Sequence, residues 1–206
     1  MRNPKIVIID DNYKPITTVI IALKEEFGEE NVLLFNKSKE GLEYVLEHLY
    51  EKMILILDWD LGPGEVQGIE LFETIQKETS LIYTIFVSGV EITKIRPDDL
   101  LKLINNHAFY FIPKGESYKE IVNITVEVSH LLQTRIDCAI EEWIHLHSSN
   151  ERDKPYISTM GGKTYNLNEL LTEIRKKTDL GMRMERNLLQ LTIDLLVRQK
   201  KKIKDD

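Results

Sequence analysis

Five short apolar runs recur through the first half of the chain, and each stops on a polar, charged or turn-forming residue. Lys5-Ile6-Val7-Ile8-Ile9 stops on Asp10-Asp11, and Asn31-Val32-Leu33-Leu34-Phe35 precedes a polar turn. Met53-Ile54-Leu55-Ile56-Leu57 stops on Asp58, Thr84-Ile85-Phe86-Val87 on Ser88, and Phe109-Tyr110-Phe111-Ile112-Pro113 on Lys114. Continuous apolar runs of this length, bounded by turn residues, read as strands buried on both faces. Between them the spacing changes to that of helices. Ile16, Val19, Ile20, Leu23 and Phe27 share one helical face after Pro15, which suits a first helical turn. Ser38 reads as the cap of a helix carrying Leu42, Val45, Leu46 and Leu49, and Gly68 leads into IELFETIQK. Pro97 opens a fourth helix that ends near His107. A strand and helix repeated five times predicts an α/β fold, a (βα)5 doubly wound sheet of five parallel strands.

The pattern changes after the fifth strand. From Ser117 to His147 there is neither proline nor glycine, which predicts one long helix. Leu132, Ile136, Ala139, Trp143 and Leu146 are spaced 4-3-4-3 along it, as in a packing seam. Two readings stay open for this seam: packing on its own chain, or a stalk that pairs with a second copy. Ser148 to Pro155 is a polar linker. Beyond it, two β-prone runs flank Gly161-Gly162 as in a hairpin, and Asn166 with Glu169 fits a capping box for a helix from Leu167 to Lys177. Gly181 ends that region, and a last leucine-rich helix runs into the basic end RQKKKIK. The expected organisation is a domain over residues 1–125, a helical extension over 126–150, and a small, mostly helical module with a hairpin over 151–206.

Candidate chemistry gathers at the strand ends. In open α/β sheets, ligands collect outside the carboxyl ends of the strands. If the strands are neighbours, Asp10, Asp11 and Asp58 converge there, and clustered like charges call for compensation. Carboxylate and carbonyl oxygens suit Mg²⁺. Ser88 and Lys114 add a hydroxyl and an ammonium, which with a cation outline a phosphoryl site.

These motifs, IVIIDDN, LILDWDL, FVSG and YFIPKG, resemble in content and order those of the receiver domain of two-component response regulators, over about residues 1–125. The resemblance implies a flavodoxin-like receiver fold. It implies that Asp58 accepts a phosphoryl group, and that Asp10, Asp11, Asp58 and the backbone carbonyl of Asp60 hold Mg²⁺. Ser88 would bond the phosphoryl oxygens, Lys114 would pair with the acyl phosphate, and Phe111 would be the switch aromatic. It also implies a sensor histidine kinase or phosphotransfer protein as donor. The chain is then a phosphoacceptor, with at most hydrolysis of its own acyl phosphate, and no enzyme. This sequence departs from the family's pattern in two places. The loop from Asp58 to Gly68 is about two residues longer, and Gly115 follows the lysine where many members have proline in cis.

Composition narrows the remaining choices. One cysteine, Cys138, excludes an internal disulfide and suits a reducing compartment. No apolar run approaches the roughly 18 residues of a membrane span, so a soluble cytoplasmic protein is expected. The net charge of −7 is uneven: residues 1–150 carry 14 Lys+Arg and 25 Asp+Glu, residues 151–206 carry 13 and 9. A mildly basic tail leaves two outputs, protein interaction or homodimerisation with a downstream partner, and DNA binding by a transcriptional regulator. The last helix is apolar on all sides, which disfavours a recognition helix. A scaffold that is never phosphorylated is a third reading, and the intact set of site residues opposes it. Gly162-Lys163-Thr164 lacks the glycine that a phosphate loop needs five positions earlier, where Ile157 stands. His145 and His147 lie two apart on a helix and face different ways.

Overall fold

A computed structural model describes residues 3–104, 109–115, 117–159 and 161–199. The chain divides into two compact units, residues 1–134 and 135–206, so the interval 126–150 is shared between them.

The first unit alternates strands and helices: β1 (Lys5–Ile9), α1 (Thr18–Phe27), β2 (Val32–Phe35), α2 (Ser38–Glu47), β3 (Met53–Leu57), α3 (Gly68–Glu78), β4 (Ile82–Ser88), α4 (Pro97–Ile104), β5 (Phe109–Pro113) and α5 (Tyr118–Thr134). All strand pairs are parallel, in the order β2-β1-β3-β4-β5. Every residue of β3 and β4 is buried, as expected of central strands covered on both faces. Val7, Ile9, Leu55 and Leu57 pack with Val45 of α2 and with Ile69, Phe72 and Ile75 of α3. The alternate positions Ile6, Ile8, Ile54 and Ile56 are equally buried and point to the opposite face. There α1 packs with α5, and α5 reaches β3 and β4. The expected five-stranded doubly wound sheet is present.

Three local expectations are corrected. The first helix starts at Thr18, not at Pro15, and Ile16 is 81% exposed. Thr17 closes a turn on Lys14, its amide donating to the Lys14 carbonyl and its hydroxyl accepting the Lys14 amide at 2.9 Å. Ser38 is the first helical residue of α2, not its cap, and its hydroxyl bonds away from the helix. The long helix is interrupted, because Arg135 is extended at φ −68° and ψ 128°. The expected end of the fourth helix near His107 lies outside the described residues.

The second unit holds α6 (Ile136–His145), α7 (Ser149–Arg152), β6 (Ile157–Ser158), β7 (Thr164–Tyr165), α8 (Leu167–Arg175) and α9 (Asp179–Gln199). The break before α6 has a polar cause. Asp137 accepts from Arg135 Nε at 3.0 Å and Nη2 at 2.5 Å, and from the Cys138 amide at 3.0 Å. A carboxylate bonded to the first turn favours a new helix start there. The break divides the 4-3-4-3 seam, with Leu132 buried in α5 and Ala139 exposed in α6. Ile136, Trp143 and Leu146 are exposed, while Ile140 and Ile144 join Leu167, Leu170, Leu171 and Ile174 in the core.

The hairpin forms as expected, with Ile157 opposite Tyr165 and Ser158 opposite Thr164; Met160 lies outside the described residues. The capping box holds too: Asn166 accepts the Glu169 amide, and Glu169 accepts the Asn166 amide. Gly181 does not end a region; it lies in the first turn of α9. A Cβ there would meet the Glu173 carbonyl oxygen at 2.3 Å, so glycine is what lets α9 cross the end of α8. The basic end, Lys200 to Lys204, lies outside the described residues.

Candidate phosphoacceptor site

Sheet register places the site. Ile9 pairs with Leu57, so Asp10 and Asp58 leave adjacent strands at the same height. Ser88 pairs with Pro113, so Lys114 follows at the same sheet edge. The ladder continues past the strand ends through the Asp58 amide to the Ile9 carbonyl (3.0 Å) and the Lys114 amide to the Ser88 carbonyl (2.6 Å).

Lys114 Nζ lies 2.9 Å from Asp10 Oδ2 and donates a short hydrogen bond to Asp58 Oδ2. Both acids are almost fully buried, whereas Asp11 is exposed. Each of the three brings one carboxylate oxygen to within 4.8 Å of the others. Asp10 Oδ1 accepts the amides of Asn12 (2.8 Å) and Tyr13 (3.0 Å). Asp10 Oδ2 is buried and lacks an aligned hydrogen bond despite the nearby ammonium. An all-oxygen donor set with an under-satisfied buried carboxylate oxygen fits a hard divalent cation.

Burial pushes the Asp58 carboxyl up, against the opposing pull of Lys114, and the Asp10 charge adds to the rise. Burial alone would lower the Lys114 ammonium, but the Asp58 and Asp10 carboxylates beside it raise it above its ordinary value. Burial and the Asp10 charge also raise the Tyr13 phenol, whose ring centroid lies 5.7 Å from Lys114 Nζ.

The other expected residues stand around this cluster. Ser88 is buried, and its hydroxyl accepts the Val90 amide at 3.0 Å. The Asp60 amide donates to Asp58 Oδ1 at 3.4 Å, and its carboxylate accepts the Gly62 amide at 3.1 Å. Phe111 is half-buried, 6.3 Å from both Trp59 and Phe86 between ring centroids. Gly68 is required where it stands, since a Cβ would meet the Asp58 carbonyl oxygen at 2.2 Å.

Three further polar residues were not anticipated. Asn36 Nδ2 donates to the Asp10 carbonyl (2.7 Å) and the Tyr13 carbonyl (2.8 Å), which holds the acidic turn. Ser38 and Glu65 bond to each other across the longer loop. Asn36 follows β2 and Ser38 opens α2, both common residue types at such places, and nothing in their spacing points to the site.

No family profile and no curated protein matches the sequence. Solved structures do. The N-terminal domain of an uncharacterized protein from Wolinella succinogenes is similar at 19% identity and a TM-score of 0.50, over 63% of this chain and 95% of that one. A CheY-like response regulator receiver domain protein from Methanospirillum hungatei is similar at 20% identity and a TM-score of 0.49, over 64% and 97%. A response regulator receiver domain protein from Clostridium thermocellum is similar at 20% and 0.49, over 63% and 97%. The strand order 2-1-3-4-5 with four crossover helices and a fifth helix after β5 is decisive for the architecture. The first unit has the receiver fold. This receiver-like unit carries the clustered acids at the carboxyl ends of its strands, and the helices of the second unit follow it in the chain.

Proposed function

We propose that the chain is a two-component response regulator whose first unit accepts a phosphoryl group on Asp58. One observation carries the reading: Lys114 reaches both Asp58 and Asp10 inside a single buried carboxylate cluster at the carboxyl edge of the sheet. Asp10, Asp11, Asp58 and the Asp60 carbonyl would hold Mg²⁺, which supplies charge neutralisation at the transferring group. An Asp58 carboxylate oxygen forms the new O–P bond. The bond from phosphorus to the donor breaks, to the histidine nitrogen of a kinase or phosphotransfer protein, or to the acetate of acetyl phosphate. Lys114 stays beside the acyl phosphate and offsets its charge. Ser88 turns its hydroxyl to a phosphoryl oxygen, giving up the Val90 amide, and Phe111 repacks against Trp59 and Phe86. On this reading the protein is a phosphoacceptor and no enzyme.

For the output we propose protein contact. Leu189, Leu191, Ile193 and Leu195 of α9 are all exposed by 45% or more. A helix with this many exposed leucines suits an apolar partner better than a nucleic-acid groove.

Acetyl phosphate with Mg²⁺ should add the mass of one phosphoryl group to the wild-type protein. Asp58→Asn should gain none by intact-mass measurement. Equal gain in both proteins would remove Asp58 from its role.

A further inference from the structure

The segment between Asp58 and Gly68 is longer than the resembled pattern by about two residues and carries two glycines in left-handed conformations, Gly62 (φ +85°) and Gly64 (φ +86°). Such a loop gains conformational freedom with length and with glycine, and freedom here would blur the position of the Asp60 carbonyl. The structure shows what restrains it. Glu65 Oε2 accepts the Ser38 amide at 2.8 Å and the Ser38 hydroxyl at 2.5 Å. The Ser38 hydroxyl in turn accepts the Val66 amide at 3.0 Å. Ser38 is buried at the first turn of α2, so the Glu65 carboxylate sits on a helix N-terminus, where a negative charge is favoured. The Ser38 hydrogen bonds hold its carboxyl below the ordinary range, so it stays charged.

The same short turn also holds the other acidic loop. Asn36, two residues before Ser38, bonds the carbonyls of Asp10 and Tyr13. The glycine corner lies against the cluster, since a Cβ on Gly62 would come within 3.2 Å of Asp11 Oδ2. Residues 36–38 thus bracket the two loops that carry the acids, with Asn36 on one and Ser38, through Glu65, on the other.

We propose that Glu65 is a positioning residue for Mg²⁺ at the Asp10, Asp11 and Asp58 cluster, acting by pinning the 59–67 loop to the N-terminus of α2. The role rests on the reading of that cluster as a Mg²⁺ site. Glu65 binds no metal itself. It fixes the loop so that cation binding does not have to order it, as an outer hydrogen bond does for a ligand.

The test is a Mg²⁺ titration of the full chain by Trp59 fluorescence, in a Trp143→Phe background so that Trp59 is the only reporter. Glu65→Ala should raise the half-saturating Mg²⁺ concentration by about tenfold and leave the final amplitude unchanged. At saturating Mg²⁺ its phosphorylation by acetyl phosphate should return to the wild-type rate, which a lost catalytic group would not allow. Glu65→Gln keeps an acceptor oxygen and should fall between the two. Adding Ser38→Ala to Glu65→Ala should shift the midpoint no further. If Glu65→Ala unfolds, the Gln variant and Ser38→Ala alone carry the same test. An unchanged midpoint in folded Glu65 variants overturns the role and leaves the metal site standing. A wild-type protein with no Mg²⁺ response overturns the metal site, and this role with it.

Discussion

At the scale of single residues, the site is a balance of charge in a buried place. Two nearly buried carboxylates, Asp10 and Asp58, share one ammonium, Lys114. Removing that ammonium leaves uncompensated buried charge, which costs about 3 kcal/mol. Lys114→Ala should therefore melt at lower temperature than wild type without metal. Millimolar Mg²⁺ should recover more stability in the variant than in wild type, because the cation replaces the missing charge. Equal Mg²⁺ effects on the two melting temperatures would count against a metal at these acids. These residues were legible in the sequence because each follows an apolar run, and parallel strands in register align their ends. Glu65 was not legible, because its partner Ser38 lies 27 residues away in sequence and neither residue type is unusual in a loop.

At the scale of elements, the second unit is joined by ion pairs that helical spacing does not reveal. Asp137 at the start of α6 meets Arg135 at 2.5 Å and Lys177 at 2.9 Å, and Lys177 also meets Glu185 at 2.7 Å. Burial would raise the Asp137 carboxyl, but the guanidinium and ammonium prevail and hold it at about 2. Its folded value is depressed, so its contribution is present above the unfolded value and is lost as pH falls toward 2. Asp137→Asn should cost about 2 kcal/mol in urea unfolding at neutral pH, and the gap from wild type should shrink below about pH 4. A gap that is constant with pH would assign the loss to packing.

Lys177 has a second task. It is the single non-glycine residue with positive φ among the described residues, at 49°, where α8 ends. Its amide donates to the Ile174 carbonyl and the Thr178 amide to the Glu173 carbonyl, the paired bonds of a Schellman ending. Glycine is usual there, and the two acid partners explain why lysine is tolerated. The interruption at Arg135 was hidden for the same reason: no proline or glycine marks it, and a charged pair makes it. At Gly181 the close approach of the Glu173 carbonyl predicts that Gly181→Ala costs about 2 kcal/mol or more, seen as a lower melting temperature.

At the scale of the whole molecule, two units follow one another in the chain, and the acidic balance belongs to the part that holds the site. No described helix is long and apolar enough to cross a membrane. The exposed leucines of α9 predict self-association that survives added salt, since apolar contact does not weaken as phosphate contacts do. Light scattering should show a mass above the monomer at high salt, and Leu189→Ser with Ile193→Ser should return it to the monomer. A monomer that binds random duplex DNA tightly at physiological salt would favour the DNA output instead. The five-stranded sheet was legible because its period and its punctuation agree. The second unit was legible only in pieces, its hairpin and capping box, because its helices are set by long-range ion pairs and one close backbone crossing.

The strand order has a consequence for how the site breathes. Asp58 leaves β3, the middle strand of five, with β1 and β4 hydrogen-bonded on either side. Lys114 leaves β5, an edge strand with a single neighbour. Hydrogen exchange should divide the site accordingly. Amides of Met53–Leu57 should exchange only through global unfolding, while those of Phe109, Tyr110, Phe111 and Ile112 should exchange through a smaller local opening. The acid that would take the phosphoryl group rides the least yielding strand, and its counter-ion rides one that can shift without disturbing it.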